Sequence, residues 1–177
     1  ENPWELPATS RCLIAPGTSL NLGNDWVFTV DEVLELDVDY GISIMKLGSR
    51  MHLNLMRVWD YFGTEPRPKI QKVKTLIGRL NRNWTEEQVT TLLNRSDCPL
   101  KGSGAWVSEA FLENRPRYDG KGWIGFPDGA SSRWCFRRVG NICFPSLWGD
   151  NADGWDRRLR SVGNEWVRER RLCLICR

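Results

Sequence analysis

One histidine, His52, is all the imidazole in this 177-residue chain. Any mechanism that needs a neutral-pH base of that kind, or a histidine-rich metal site, must therefore rest on a single position. His52 falls mid-way along a segment in which Met51, Leu53 and Leu55 alternate with His52, Asn54 and Met56, so it reads as a strand-surface residue. Long apolar runs are missing too: none approaches the roughly 20 residues a membrane-spanning helix requires. Nothing at the start has the form of a signal peptide, and the chain reads as soluble with no membrane partner. No nucleophile stands with a base, and the acid pairs Asp31/Glu32 and Glu86/Glu87 are sequence neighbours, which does not bring two carboxylates onto one substrate atom. The expectation is a protein without catalytic activity.

The chain does hold tryptophan, ten in all, with six cysteines and sixteen glycines. Four of the tryptophans and seven of the glycines fall in residues 104–150, the stretch around which the chain is expected to be organised. Indole rings supply large buried area and glycine supplies the turns that bring them together. Composition is otherwise that of a folded protein, with 41% hydrophobic and 27% charged residues. Length allows one domain, 1–177, with two lobes as the variant: 1–63 mainly β and 64–177 α+β. The opening at Glu1 without methionine and the stop at Arg177 just after a CLIC run lead us to expect a piece of a longer protein.

Net charge is +3, unevenly placed. Residues 1–65 hold ten acids against four bases, and the rest twenty-one bases against twelve acids. An acidic N-terminal face and a basic C-terminal one would follow, suited to an acidic protein partner, nucleic acid or self-association.

In order, residues 1–10 read as an extended arm. Arg11 to Trp59 reads as three or four antiparallel strands: Trp26 to Val30, Leu34 to Val38, Ile42 to Leu47 and Met51 to Trp59 alternate between turns. Thr64-Glu65-Pro66-Arg67-Pro68 is a stiff linker. Ile70, Val73, Ile77 and Leu80 recur at helical spacing, predicting a basic amphipathic helix over about 68–82. Thr85-Glu86-Glu87-Gln88 fits a capping box opening a second helix that ends near Asn94, so the two make an αα-hairpin. A short helix is expected between Ala105 and Glu113, a short strand at Trp123 to Phe126, and a hairpin of Arg133–Val139 with Ile142–Leu147 that sets Cys143 opposite Arg138 and Cys135 opposite Ser146. Trp155, Leu159, Val162 and Trp166 step by four, three and four, predicting a C-terminal amphipathic helix capped by Asp150 or Asp153. The fold class is α+β: an N-terminal antiparallel sheet, an αα-hairpin, a Trp-rich β-hairpin region and a C-terminal helix.

Cys173-Leu174-Ile175-Cys176 is a CxxC, and with Cys135 and Cys143 it makes four thiols, the number a tetrahedral zinc site needs. Only one CxxC is present and the hairpin register does not converge the other two, so free thiols are the competing reading. Gly120-Lys121-Gly122-Trp123-Ile124-Gly125 matches a dinucleotide fingerprint in letters, yet it follows no strand and opens no helix, and reads as a turn around Trp123. Arginines 133, 137 and 138 between Trp134 and Phe136 have the composition of a nucleic-acid surface, and equally of core rings with arginines outside. For a partner-binding surface the basic positions Lys69, Lys72, Arg79 and Arg82 on the first helix and Arg157, Arg158, Arg160 and Arg168 on the last are the candidates.

The string DYFGTEPRPKIQKVKTLIGRLNRNWTEEQ, followed by WVSEAFLENRPRYDGKGWIGFPDGASSRWCFRRVGNICFPSLWGDNADGWDRRLRSVGNEWVRERRLCLICR, resembles the Bet accessory proteins of foamy viruses. The similarity covers residues 60–177 most clearly and rests on the tryptophan-rich, arginine-rich character of the whole. It implies a non-enzymatic viral antagonist of cytoplasm and nucleus that binds host APOBEC-family cytidine deaminases and sequesters them without directing their degradation. It assigns no role to any single position. The alternative is a nucleic-acid-binding regulatory module like the transactivator Tas of the same viruses, with zinc as a possible stabiliser.

Overall fold

The computed structural model describes residues 14–50, 59–62, 69–128, 133–136, 142–149, 154–161 and 170–177, with backbone alone for 59–62, 133–136, 142–144 and 158–161. The chain is mixed α+β. Its strands are β1 (Ser19–Gly23), β2 (Trp26–Asp39), β3 (Trp59–Phe62), β4 (Ile70–Leu80), β5 (Leu100–Gly102), β6 (Ile124–Gly125), β7 (Arg133–Phe136), β8 (Ile142–Gly149), β9 (Trp155–Ser161) and β10 (Arg171–Cys176). Its helices are α1 (Ile44–Arg50), α2 (Glu86–Asn94) and α3 (Gly104–Asn114).

Among the described residues ten strands join one sheet, with the path β1-β2-β4-β10-β6-β8-β7-β3, β5 beside β10 and β9 beside β8. Every pairing is antiparallel except β10 with β6. β1 and β2 form a hairpin through Asn24 and Asp25, both at positive φ (51° and 62°). That is the two-residue turn whose twist matches the strands, and Asn and Asp tolerate it.

Two cores lie on opposite faces. On one, α2 covers Trp26, Phe28, Val30, Leu76, Leu80, Leu172 and Leu174, with Trp84 fully buried among them. On the other, α3 covers Leu36, Val38, Val73, Ile77, Ile124, Leu147 and Trp155. β2 feeds both from even-numbered positions because it carries a bulge. Val30 pairs with Gly78 and Glu32 with Ile77, which leaves Asp31 as the extra residue. One inserted residue flips every later side chain to the other face. Trp26, Phe28 and Val30 therefore serve the α2 side, and Leu36 and Val38 the α3 side. Gly78 is required beside the bulge, since a Cβ there would lie 2.1 Å from the Thr29 carbonyl oxygen and 2.8 Å from the Phe28 ring.

Several expectations are corrected. The basic helix over 68–82 is the central strand β4, so there is no αα-hairpin, and α2 stands alone. A strand between two helical layers is apolar on both faces, as Val73 and Ile77 on one and Leu76 and Leu80 on the other demonstrate. Such a strand has no period of two, and its apolar residues fall by chance at helical intervals. Residues 155–161 of the expected C-terminal helix are strand β9. A step of four from Trp155 to Leu159 keeps one face of a strand as well as one face of a helix, so that step could not discriminate. Val162, Gly163, Trp166 and Arg168 lie outside the described residues. Ile44–Leu47, expected as strand, and the expected Gly48-Ser49 turn lie in α1, where Ser43 Oγ just before the helix accepts from the Lys46 amide at 3.2 Å. The expected strand from Met51, and His52 with it, lie outside the described residues up to Trp59, as do the linker 64–68 and the N-terminal arm. The two separate strands expected at Trp26–Val30 and Leu34–Val38 are one, joined through the bulge.

Other expectations are met. α2 starts with the capping box: Thr85 Oγ accepts from the Gln88 amide at 3.2 Å and Gln88 Oε1 accepts from the Thr85 amide at 3.0 Å. α3 and β6 fall where expected. β7 and β8 pair antiparallel, in a register that sets Trp134 against Cys143 and Cys135 against Ile142 rather than the expected partners.

Candidate functional site

Two concave sites lie on opposite faces of the sheet. The first sits where the β1–β2 turn meets α2, a cavity of about 420 Å³ lined among others by Asn24, Trp26, Arg82, Glu87, Gln88 and Arg95. Arg82 places its guanidinium 3.8 Å from the centroid of the Trp26 ring and donates to the Asn24 carbonyl at 3.0 Å. A cation held over an indole face is attracted by the ring quadrupole. Arg95 lies on the other wall, fixed by two bonds to Asp97 at 3.0 and 2.6 Å.

The second lies over the β2 bulge on the α3 side, a cavity of about 580 Å³. Asp31 and Glu32 both line it. Neighbours in a regular strand point to opposite faces, so the bulge is what allows this. Each carboxylate is taken by an arginine. Arg79 holds Asp31 with two bonds at 3.0 and 3.1 Å, and Arg115, at the carbonyl end of α3, holds Glu32. Arg171 enters from β10, with only 6% of its side chain exposed. Its Nη1 and Nη2 donate to Asp119 at 2.6 and 2.9 Å, and Nη2 also reaches the Gly122 carbonyl at 3.0 Å. Burial by itself raises the Asp119 carboxyl, but the Arg171 bonds, the Lys121 amide and both cations outweigh it and hold it below its ordinary value.

No family model, curated protein or solved structure matches this chain. The two cavities must be read on their own chemistry.

The eight basic positions expected to form one surface are divided by the fold. Lys72 and Arg79 lie on opposite faces of β4, one residue set apart by an odd step. Lys69 precedes that strand, and Arg82 joins the Trp26 cavity. Arg157 turns to α3 and grips the buried Glu109 at 2.7 and 3.1 Å, with Arg50 adding a contact at 3.5 Å. Arg158 and Arg160 pair through the β9 backbone with Ser146 and Phe144, and Arg168 lies outside the described residues. The expected acidic and basic faces are also merged. β2 and β4 are neighbours, and Glu35 sits opposite Lys74 and Asp37 opposite Lys72.

The four thiols do not all turn one way. Cys173 joins the α3-side core and Cys176 the α2 side, because a spacing of three on a strand changes face. A zinc site needs its ligands on one point. Burial pushes the Cys173 thiol up to about 12, with Ser103 and Thr75 favouring the thiolate only weakly. Cys135 and Cys143 are neighbouring-strand residues whose Cα partners differ. Among the described residues no group of three or more His, Cys, Asp or Glu is placed to hold a metal.

Sequence reasoning missed Arg115, Lys121 and Asp119 as site residues. The signal for Lys121 was the glycine run, from which Lys121 alone lines the second cavity: Gly120 and Gly122 have φ of 74° and 81°, and Asp119 Oδ1 accepts from the Lys121 amide at 2.9 Å.

Proposed function

We propose that the chain is a non-catalytic binding module that captures a host cytidine deaminase of the APOBEC family and holds it by occupancy. The observation that carries this reading is the Arg82 guanidinium stacked on Trp26 in a polar-rimmed concavity. Tryptophan and arginine dominate the residues on which protein interfaces depend, and they act from pockets surrounded by polar contacts that exclude water. The partner class comes from the resemblance to the Bet proteins. The wiring of the second cavity agrees with a binding role: Asp31, Glu32 and Asp119 are each held by an arginine.

The test is a pull-down of the purified chain against host cytidine deaminases and against nucleic acid, with and without nuclease. Nuclease-resistant capture of a deaminase, weakened fivefold or more by Arg82→Ala, is the expected result. Capture that vanishes with nuclease, or of nucleic acid alone, overturns it in favour of a regulatory nucleic-acid module.

A further inference from the structure

We propose that the cavity over the β2 bulge is a binding site for the phosphoryl group of a small organic phosphate. Four cations, Arg79, Arg115, Lys121 and Arg171, line it. Three carboxylates, Asp31, Glu32 and Asp119, answer three of them. Lys121, exposed at the rim, has no salt bridge among the described residues and adds its charge to that of Arg171 near Asp119. Inside, the buried Arg171 has its Nε without an acceptor among the described residues, although both terminal nitrogens are satisfied. A cation at the mouth and the partly exposed guanidiniums of Arg79 and Arg115 in the wall meet a phosphate's requirements, since its oxygens take charge-assisted hydrogen bonds from them.

The carboxylates strengthen the site rather than cancelling it. Asp31 and Asp119 each grip a guanidinium in bidentate fashion and fix its plane, so the ordering entropy is not paid again on binding. A phosphate monoester carries about −1.5 to −2 charges at neutral pH, opposite in sign to the single unit of positive charge the groups leave. The glycine run does not act as a phosphate loop, because the amides of Lys121 and Gly122 already donate to Asp119 Oδ1 and the Tyr118 hydroxyl. Side chains hold the anion. The volume, about 580 Å³, is that of a pocket for a whole small molecule. It leaves room for an organic body against Ile77.

This site is on the sheet face opposite the Arg82–Trp26 cavity and does not depend on the deaminase reading. The experiment is a calorimetric titration of the whole chain with inorganic phosphate and, separately, with adenosine monophosphate. Saturable 1:1 binding of adenosine monophosphate, displaced by inorganic phosphate, is expected. Lys121→Glu, at an exposed position, should weaken it tenfold or more. Lys46→Glu, the same charge change on the exposed side of α1, should leave it within twofold. Circular dichroism establishes that both variants are folded. Binding of inorganic phosphate alone keeps the site and removes the organic body. No saturable binding of either probe, failure of phosphate to compete, or equal weakening by the two variants overturns the proposal.

Discussion

The two faces of the sheet are built on different principles. Under α2 the buried side chains are apolar with the exception of Glu86 and of Ser146 on β8, and Trp84, Phe28 and Leu76 are fully enclosed. Under α3 the buried set includes Thr75, Ser103, Ser108, Glu109 and Arg171 alongside Phe111 and Phe126. An apolar core gains from area removed from water, whatever the orientation of its parts. A polar one gains little net energy, yet it penalises every arrangement that leaves a donor or charge unmatched. Ser103 Oγ donates to the Cys173 carbonyl at 2.6 Å, Thr75 Oγ1 to the Leu34 carbonyl at 3.1 Å, and Glu109 takes two bonds from Arg157. Both sides bury an apolar core, and the α3 side adds the paired polar groups that fix the geometry on which the bulge cavity depends.

Trp84→Ala tests the first half of that contrast and has the largest expected effect. Removing a fully enclosed indole should destabilise the fold by about 4 kcal/mol, read from the midpoint of chemical unfolding with an unchanged denaturant slope. A loss under 1 kcal/mol would mean the dry core is not where stability resides.

Asp119→Asn tests the second half and should cost about 3 kcal/mol at pH 7, because it leaves the buried Arg171 charge without its counter-ion. This loss depends on pH. The native Asp119 carboxyl lies below its ordinary value of 3.8, so its contribution is present above that value and is lost as pH falls through the native one. The gap between wild type and Asp119→Asn should accordingly be constant from pH 7 to 5 and narrow below about pH 4, in unfolding curves taken across that range. A gap independent of pH would show that Asp119 acts through shape alone.

Thr85→Ala acts at the edge of the dry face. Both halves of the capping box are formed, so its loss should cost about 1 kcal/mol, and thermal unfolding should register it. An unchanged midpoint would mean that packing of Val89, Leu92 and Leu93 holds α2 without its cap.

The same contrast explains what could be read in the sequence. α2 was legible because a capping box is local, and so was α3, where Trp106-Val107 and Ala110-Phe111 repeat at a spacing of four. β4 was not, since burial on both faces erases alternation and its lysines at 72 and 74 mimic a helix's solvated side. The bulge left no mark either. Asp31-Glu32 looks like any acidic pair, and only the register against β4 shows that Asp31 is unpaired. The bulge cavity was thus hidden: its arginines come from β4, the end of α3 and β10, more than 30 residues apart along the chain, and nothing local announces their meeting. The Arg82–Trp26 stack was half visible, since Arg82 stood out by charge while its ring partner lies across the sheet.

The smallest expected effect separates two arginine–carboxylate pairs that share the bulge cavity and the same bidentate form. In the Asp119–Arg171 pair the side chains are 18% and 6% exposed, and in the Asp31–Arg79 pair they are 32% and 48% exposed. Water screens the second pair, and holding two long side chains together costs entropy, so exposed pairs contribute little. Asp31→Asn should destabilise by about 0.5 kcal/mol in dilute buffer. In 1 M salt, where the screening length falls to about 3 Å, the difference should disappear, while that of Asp119→Asn should persist. Because Asp31 is also the bulged residue, the outcome has a second use. A salt-independent loss of more than about 2 kcal/mol would exceed anything an exposed pair contributes. It would place the role of Asp31 in the backbone of β2, at the point where the strand passes from the dry core to the polar one.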